Sequence, residues 1–285
     1  MKRVRRPIQR PADQRAEAPN GREELIPRSR YVHGTHQSEQ ERLARLNRLT
    51  NEPFMQFLHL EPECAVLEVG CGLGILTGEL GARFPHCTFY ALEYSAEQMA
   101  YLKAYQANVR YLRGDAHQLP FENGRLDLVY CRYVLEHVAD AGRVVQEMSR
   151  VLRCGGRVCA QENNALVSVF DPECPRFDHL WRQYVVLQAR FGGDPQVGRK
   201  LHALFKAAGL RDIRLSLQPE IHPAGSSTFL PWVENMIGIV EAADLVKHRL
   251  ATEDQLTEGI AEARAFAERE DATALFYWNR ASGIK

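Results

Sequence analysis

This sequence lacks an excess of basic side chains, long apolar runs and internal repeats. Lys and Arg together number 36, Asp and Glu also number 36, and the net charge at pH 7 is zero. Nucleic-acid binding usually needs a basic face, so this balance gives no support for such a partner. No apolar run approaches the ~18–20 residues of a membrane span, and no signal-peptide pattern appears. We therefore expect a cytoplasmic protein with no nucleic-acid partner and no membrane span.

Paired cysteines are also lacking. The seven cysteines form no C-x-x-C pair, and no histidine stands at a spacing typical of zinc sites. We therefore predict no bound metal. An odd and scattered set indicates reduced thiols, most of them small buried side chains.

The charge that is present is unevenly distributed. Residues 1–30 carry nine Lys or Arg against four Asp or Glu, with almost no large apolar side chains. Such a segment cannot bury enough surface to offset the entropy lost on ordering. We predict a flexible basic tail over 1–30, with a transit peptide or a polyanion contact as lesser alternatives.

Between residues 64 and 160, short apolar runs alternate with amphipathic stretches. Strands are predicted at 65–69, 88–92, 108–114, 126–131 and 157–161. Helices are predicted at 75–83, 95–106 and 140–152. This alternation implies a parallel sheet with helices on both faces. The predicted fold class is α/β, a Rossmann-like doubly wound sheet that is mostly parallel, with an antiparallel final strand and helical cap elements.

The flanking regions are expected to supply the cap. A helix is predicted over 38–59, capped by Ser38 and broken or restarted at Pro53. Further helices are predicted at 176–191, 196–208 and within 228–270, with a sixth strand after Gly209 and a last strand within 272–285. We expect one domain over 31–285, with cap segments at about 31–60, 170–195 and 220–270.

A glycine-rich turn follows the first predicted strand. The segment "VLEVGCGLGILTGEL" (66–80) has the pattern E-x-G-x-G-x-G from Glu68 to Gly74. A dinucleotide fingerprint would place its third glycine at Ile75, one residue later, to seat a pyrophosphate. This version suits a ligand without phosphates, because bare backbone lets a nucleoside and an amino acid approach closely.

Polar residues follow the next three strands. Glu93 ends the second strand, where a carboxylate can accept both hydroxyls of a ribose. Asp115 and Ala116 follow the third strand, where a carboxylate and a backbone N–H can pair with adenine. Cys131 and Arg132 end the fourth strand. Ligands of such sheets bind at the carboxyl ends of the strands, so these residues share one crevice.

This set of motifs resembles the class I S-adenosylmethionine-dependent methyltransferases, and within them the ubiquinone/menaquinone type that acts on small molecules. The resemblance is clear over about 60–215 and weaker over "YVHGTHQSEQERL" (31–43). It implies S-adenosyl-L-methionine as cofactor and methyl transfer to a small, largely apolar molecule. It also implies that Tyr31 closes over the bound cofactor.

The resemblance also implies individual roles at the cofactor. The methionine part would be lined by Glu68, Gly70, Gly72 and Gly74, with Cys71 between the first two glycines and no redox role for its thiol. Glu93 would hold the ribose, Tyr94 would flank the adenine, and Asp115 with Ala116 would recognise it. The Cys131 carbonyl would accept from the amino group, with Arg132 beside it.

Residues on the substrate side are open to two interpretations. His137 follows the fourth strand and either accepts a substrate proton or packs against the cofactor. Glu162 and Asn163 end the fifth strand, with Glu162 a second candidate base and Asn163 lining the substrate. Trp181, Tyr184 and Phe229 either line an apolar substrate chamber or form the internal packing of the cap.

Three functions from different classes remain open at this stage. Methyl transfer is favoured over a non-methylating use of S-adenosylmethionine, which would need the same cofactor site. A nicotinamide-dependent oxidoreductase is less favoured because of the glycine spacing. We also expect a homodimer as one possible assembly.

Overall fold

The computed structural model describes residue 34 and residues 36–102, 106–167 and 169–285. The strands are β1 Ala65–Val69, β2 Thr88–Glu93, β3 Val109–Arg113, β4 Leu126–Arg132, β5 Leu152–Glu162, β6 Val169–Asp171, β7 Arg211–Pro223 and β8 Thr273–Ile284. The helices are α1 Gln37–Leu58, α2 Ile75–Arg83, α3 Ala96–Met99, α4 Ala141–Val151, α5 Pro175–Arg190, α6 Leu201–Ala207, α7 Phe229–Ala242 and α8 Glu253–Ala267.

Eight strands form one sheet in the order β3-β2-β1-β4-β5-β8-β6, and β7 pairs with the other edge of β8. The first five strands are parallel to one another. β8 runs antiparallel to β5, β6 and β7. The predicted Rossmann-like fold class is therefore confirmed, including the antiparallel last strand.

Helices cover both faces of the sheet because successive side chains of a strand point to opposite faces. Leu67 and Val69 of β1 pack with α4 and α6 on one face. Val66 packs on the other face with α2 and with Phe54 of α1. None of the helices in the described ranges is long and apolar enough to cross a membrane.

The cap consists of α1, α5, α7 and α8, which pack on one another above the carboxyl ends of the strands. Its core includes the fully buried side chains of Leu180, Val233 and Ala263. Trp278 and Phe276 of β8 belong to the same core, so the last strand joins the cap to the sheet.

Three local predictions are wrong. Helix α1 continues through Pro53 and begins after His36 rather than after Ser38. Burial of Phe54 and Leu58, both 0% exposed, favours a continuous helix over a break at the proline. The helix predicted at 95–106 ends already at Met99 as the four-residue α3, with residues 103–105 outside the described ranges, although Ser95 caps it as expected by accepting from the Gln98 N–H. The short strand β6 was not predicted.

Candidate functional site

A cavity of about 800 Å³ opens at the carboxyl ends of the first four strands and continues beneath the cap. Predicted cofactor residues line one end, which we call the strand end: Glu68, Gly70, Cys71, Gly72, Glu93, Tyr94, Asp115, Ala116 and Arg132. The other end, which we call the cap end, includes the predicted His137, Asn163, Trp181 and Tyr184. Tyr31 and the predicted tail lie outside the described residues.

The glycine turn leaves open space where the sequence predicts a ligand. The N–H groups of Gly70 and Cys71 both donate to the carbonyl of Leu92, at 2.8 and 2.9 Å, which fixes the turn on β2. Gly72 has φ +52°, and a Cβ built on it would meet no atom within 4 Å. The Gly72 backbone therefore borders the cavity directly, and only a residue without a side chain leaves that space free.

Glu93 is held by two backbone donors. Its Oε2 accepts from the Gly72 N–H at 3.0 Å and its Oε1 from the Ser95 N–H at 2.9 Å. A carboxylate offers about four acceptor positions, so two remain for a ligand. The side chain is thereby oriented before any ligand binds, at the point where the sequence predicts a ribose.

Asp115 and His117 form a polar pair beside Glu93. The Asp115 Oδ1 accepts from the His117 N–H at 2.8 Å and lies 2.7 Å from the His117 Nδ1. His117 lines the same end of the cavity. The sequence carried a signal for it, because a polar residue two positions after a turn aspartate commonly bonds back to that aspartate.

Two buried groups set the electrostatics at the floor of the strand end. Burial raises the pKa of Glu68 to about 7, opposed by a hydrogen bond from Thr77 and by the nearby charge of Arg132. Arg132 donates to Thr50, Asn47 and Asn51 of α1 at 3.3, 2.8 and 2.7 Å. These acceptors are neutral, so the three bonds hold the guanidinium at the cavity wall without forming an ion pair.

His137 lies at the cap end beside Glu136. Its Nε2 is 3.7 Å from the Glu136 Oε1. Burial lowers the pKa of His137, while Glu136 and Glu39 oppose that shift. The imidazole is therefore neutral at pH 7 and has a lone pair to accept a proton.

Several aromatic rings line the cap end of the cavity. The ring centroid of Trp278 lies 4.3 Å from that of Tyr133 and 4.6 Å from that of Phe276. Trp232 lies across from Phe276 at 5.8 Å. The sequence analysis did not single out Tyr133, which follows β4, or Phe276 and Trp278, which reach the site only through the long-range pairing of β8.

The structure does not bring Gly74, Cys131, Glu162 or Phe229 to the cavity wall. Gly74 immediately precedes α2, and a Cβ there would lie 2.6 Å from the Tyr111 ring, so this glycine permits close packing. The Cys131 side chain is fully buried within β4. Phe229 packs inside the cap, 5.6 Å from the Phe266 ring.

Glu162 is buried behind the wall rather than at it. Its Oε1 accepts from the Val134 N–H at 3.1 Å, which fixes the loop after β4. Its Oε2 has no hydrogen-bond partner within the described ranges. Burial raises the pKa of Glu162 to about 8, and the nearby Glu136 adds to that shift. A protonated, enclosed carboxyl of this kind is poorly placed to serve as the base.

Glu162 should make stability depend on pH. Its pKa is raised in the folded state, so the folded chain binds a proton more tightly than the unfolded chain. The stability that Glu162 contributes is fully present below its unfolded-state pKa of about 4.5. It is lost as the pH rises through its folded-state pKa of about 8. Each pKa unit corresponds to about 1.4 kcal/mol.

The substitution Glu162→Gln is expected to flatten this pH dependence, because the amide keeps an acceptor for Val134 and cannot ionise. Thermal unfolding from pH 5 to 9 measures it, with Glu61→Gln on an exposed carboxylate as control. Equal loss of Tm with pH in wild type and Glu162→Gln would assign the dependence to another group.

No group of three or more His, Cys, Asp or Glu in the described part of the chain could hold a metal ion. Burial also raises the pKa of Cys71, whose thiol faces the acidic groups of the cavity. The thiol stays protonated and is a poor nucleophile. The polar groups at the strand end therefore suit a hydrogen-bonded organic ligand.

Residues 67–160 match the protein family described as "Methyltransferase domain". The chain is 35% identical over 101 residues to trans-aconitate 2-methyltransferase of Deinococcus radiodurans. The matched stretch covers 35% of this chain and 38% of that protein. It is 31% identical over 113 residues to demethylmenaquinone methyltransferase of Lactococcus lactis, covering 37% and 45%. The chain therefore matches less than half the length of either relative.

The fold also matches a solved structure. A putative methyltransferase from an antibiotic biosynthesis pathway of Anabaena variabilis superposes with a TM-score of 0.58 at 16% identity, covering 82% of this chain and 96% of that chain. This likeness supports the Rossmann-like architecture. Neither the oxidoreductase nor the non-methylating alternative is favoured by these matches.

Proposed function

We propose that this chain, a class I S-adenosylmethionine-dependent methyltransferase, transfers a methyl group to a small and largely apolar molecule. The observation that carries the proposal is one continuous cavity. It joins the glycine turn and Glu93 to an aromatic chamber beneath the cap. A cofactor at the strand end and an acceptor at the cap end would meet within it.

The strand end fits the parts of S-adenosylmethionine. Gly72 gives the ligand access to the backbone, and Glu93 offers two free acceptor positions to the ribose hydroxyls. Asp115, next to His117, is placed to accept from the adenine amino group. Arg132 carries a charge that suits the methionine carboxylate. These assignments are proposals that rest on the cavity geometry.

The protein's own contribution to the reaction is positioning. When bound, the cofactor supplies a methyl group activated by its sulfonium. Gly72, Glu93 and Arg132 would hold the cofactor at the strand end, and an acceptor at the cap end would receive the methyl group. The cap holds the acceptor in line and keeps water out. His137 takes the proton when the acceptor must lose one.

A release assay for S-adenosylhomocysteine tests the proposal directly. The purified chain is incubated with S-adenosylmethionine and a panel of small aromatic and aliphatic molecules. Product formation is measured together with the mass of each product. A mass gain of one methylene equivalent with matched release supports the proposal. Tight cofactor binding with no release and no methylated product across the panel contradicts it.

The substitution Glu93→Ala is expected to weaken S-adenosylhomocysteine binding by about 1.5–3 kcal/mol, because the ribose loses a charged acceptor. Isothermal titration calorimetry measures the change. Glu97→Ala is the matched control, since it removes the same charge from the cavity rim without touching the Gly72 N–H. Unchanged affinity in Glu93→Ala would exclude the ribose role.

We also propose that the protein works in the cytoplasm, since all seven cysteines are free thiols and six are buried. The homodimer stays a prediction, which light scattering of the purified chain checks.

A further inference from the structure

We propose that the cap end selects a substrate carrying a protonated amine on an apolar body and disfavours carboxylates, with Glu136 as the specificity-determining residue. This inference rests on the proposed function, because the cap end is where that function places the acceptor. The charges and hydrogen-bonding groups along the wall of the cap end support it.

Arg42 is the basic side chain of α1 at the cap end, and its charge is already balanced. Its Nε and Nη2 donate to both oxygens of Glu39 at 2.7 Å, and its Nη1 donates to Asn235 at 3.1 Å. Glu39 and Arg42 are 2% and 7% exposed. A bidentate pair as buried as this one is poorly available to a substrate carboxylate.

Among the described residues, Glu136 has no such arginine partner. Within the described ranges, His137 is the side chain near Glu136 that could become positively charged. Its Nε2 lies 3.7 Å from the Glu136 Oε1. Burial lowers the pKa of His137, so that imidazole is neutral at pH 7. The Gln188 amide donates to the Glu136 Oε2 at 3.1 Å, which orients the carboxylate without neutralising it. Glu136 is 4% exposed and lines the cavity.

The cap end offers a second acceptor, the side-chain oxygen of Asn163. The Asn163 Oδ1 has no hydrogen-bond partner among the described residues, although Asn163 is 7% exposed and lines the cavity. Buried acceptors are normally paired, so this atom indicates a missing donor. An ammonium group has three N–H donors and no acceptor, which matches a carboxylate and an amide oxygen.

The aromatic wall fits the same ligand. Tyr133, Trp232, Phe276 and Trp278 line the cavity and suit an apolar body, and aromatic rings also attract cations. The Trp232 Nε1 has no acceptor in the described part of the chain, and it suits an ether or carbonyl oxygen on that body. A substrate carboxylate would instead be repelled by the Glu136 carboxylate and by the π electrons of the rings.

Intrinsic fluorescence can test this selection, because all three tryptophans of the chain, Trp181, Trp232 and Trp278, line the cavity. Phenethylamine, phenethyl alcohol and phenylacetate are titrated into the wild type saturated with S-adenosylhomocysteine. These probes share one ring and differ in the charge of the head group. We expect phenethylamine to bind about 10-fold to 100-fold more tightly than phenylacetate.

The variant Glu136→Gln is expected to lose about 10-fold or more in phenethylamine affinity and little in phenethyl alcohol affinity. Glu97→Gln, which removes an acid at the strand end, is expected to retain the wild-type preference. Equal binding of amine and carboxylate by the wild type overturns the proposal. A preference that survives in a folded Glu136→Gln variant also overturns it.

Calorimetry with S-adenosylhomocysteine separates this proposal from the one it rests on. A chain that does not bind S-adenosylhomocysteine contradicts the proposed function, and its probe preference is then measured without cofactor. A chain that binds S-adenosylhomocysteine but prefers phenylacetate retains the proposed function and loses the charge selection. If Glu136→Gln does not fold, the wild-type preference alone decides.

Discussion

Gly72→Val is expected to abolish measurable binding of S-adenosylmethionine and S-adenosylhomocysteine while the circular dichroism spectrum stays that of the wild type. The Cβ of residue 72 would project into the open cavity and meet no protein atom within 4 Å. The side chain would therefore occupy ligand space rather than distort the core. Calorimetry should show a loss of affinity of about 100-fold or more, since a clash with backbone-bound ligand is not relieved by rotation.

The left-handed backbone at Gly72 requires a matched control, because φ +52° strains any residue with a side chain. Gly225→Val provides it: Gly225 has φ +80°, its Cβ would also meet nothing within 4 Å, and it lies outside the cavity wall. Both variants should lose similar stability, and Gly225→Val should bind cofactor normally. Equal cofactor affinity in the two variants would show that the turn faces away from the ligand.

His137→Ala is expected to lower the maximal rate by about 10²–10⁴-fold with almost unchanged cofactor affinity, if the acceptor must lose a proton. The imidazole lies at the cap end, away from the glycine turn, so its removal should leave the strand end intact. Single-turnover rates at saturating cofactor measure the chemical step. A variant that loses cofactor affinity instead, with the rate unchanged, would assign His137 to packing.

The pH dependence of the rate provides an independent test of His137. Burial lowers the pKa of His137 below its usual 6.5, so the protonated form appears only at more acidic pH. The rate should therefore fall on the acid side below 6.5, and stay level near neutral pH. Glu136→Gln should move this fall to still lower pH, because Glu136 raises the pKa of His137. A fall that persists in His137→Ala would identify another base.

The sequence predicted the central sheet well because its signals are local. Runs such as 65–69 and 126–131 form strands that are buried on both faces of the sheet. Their short, mostly apolar sequence differs from the 3.6-residue periodicity of an amphipathic helix. The glycine pattern and Glu93 could be placed at one edge because parallel strands share a carboxyl end. The strand end of the cavity contains these residues.

The cap end could not be predicted to the same degree, because contacts between distant segments create it. Arg42 reaches Asn235 across 193 positions of sequence. Trp278 enters the wall through pairing of β8, which no local pattern indicates. Phe229 has the same aromatic character as Trp232, yet only Trp232 lines the cavity. The direction of a side chain within a helical cap depends on packing that composition does not contain.

The order in which strands are synthesised affects how this chain folds. Within the described part of the sheet, β6 and β7 each pair only with β8. Strand β8 begins at Thr273, which is 102 positions after the end of β6 at Asp171 and 50 positions after the end of β7 at Pro223. During vectorial synthesis both strands remain without a partner until residues 273–284 leave the ribosome. Leu215, Leu217 and Ile221 of β7, which are exposed in the complete fold as well, then lie on a strand with no paired backbone, a combination that promotes aggregation. Nascent chains that stall before residue 273 should therefore depend on chaperones far more than the finished chain.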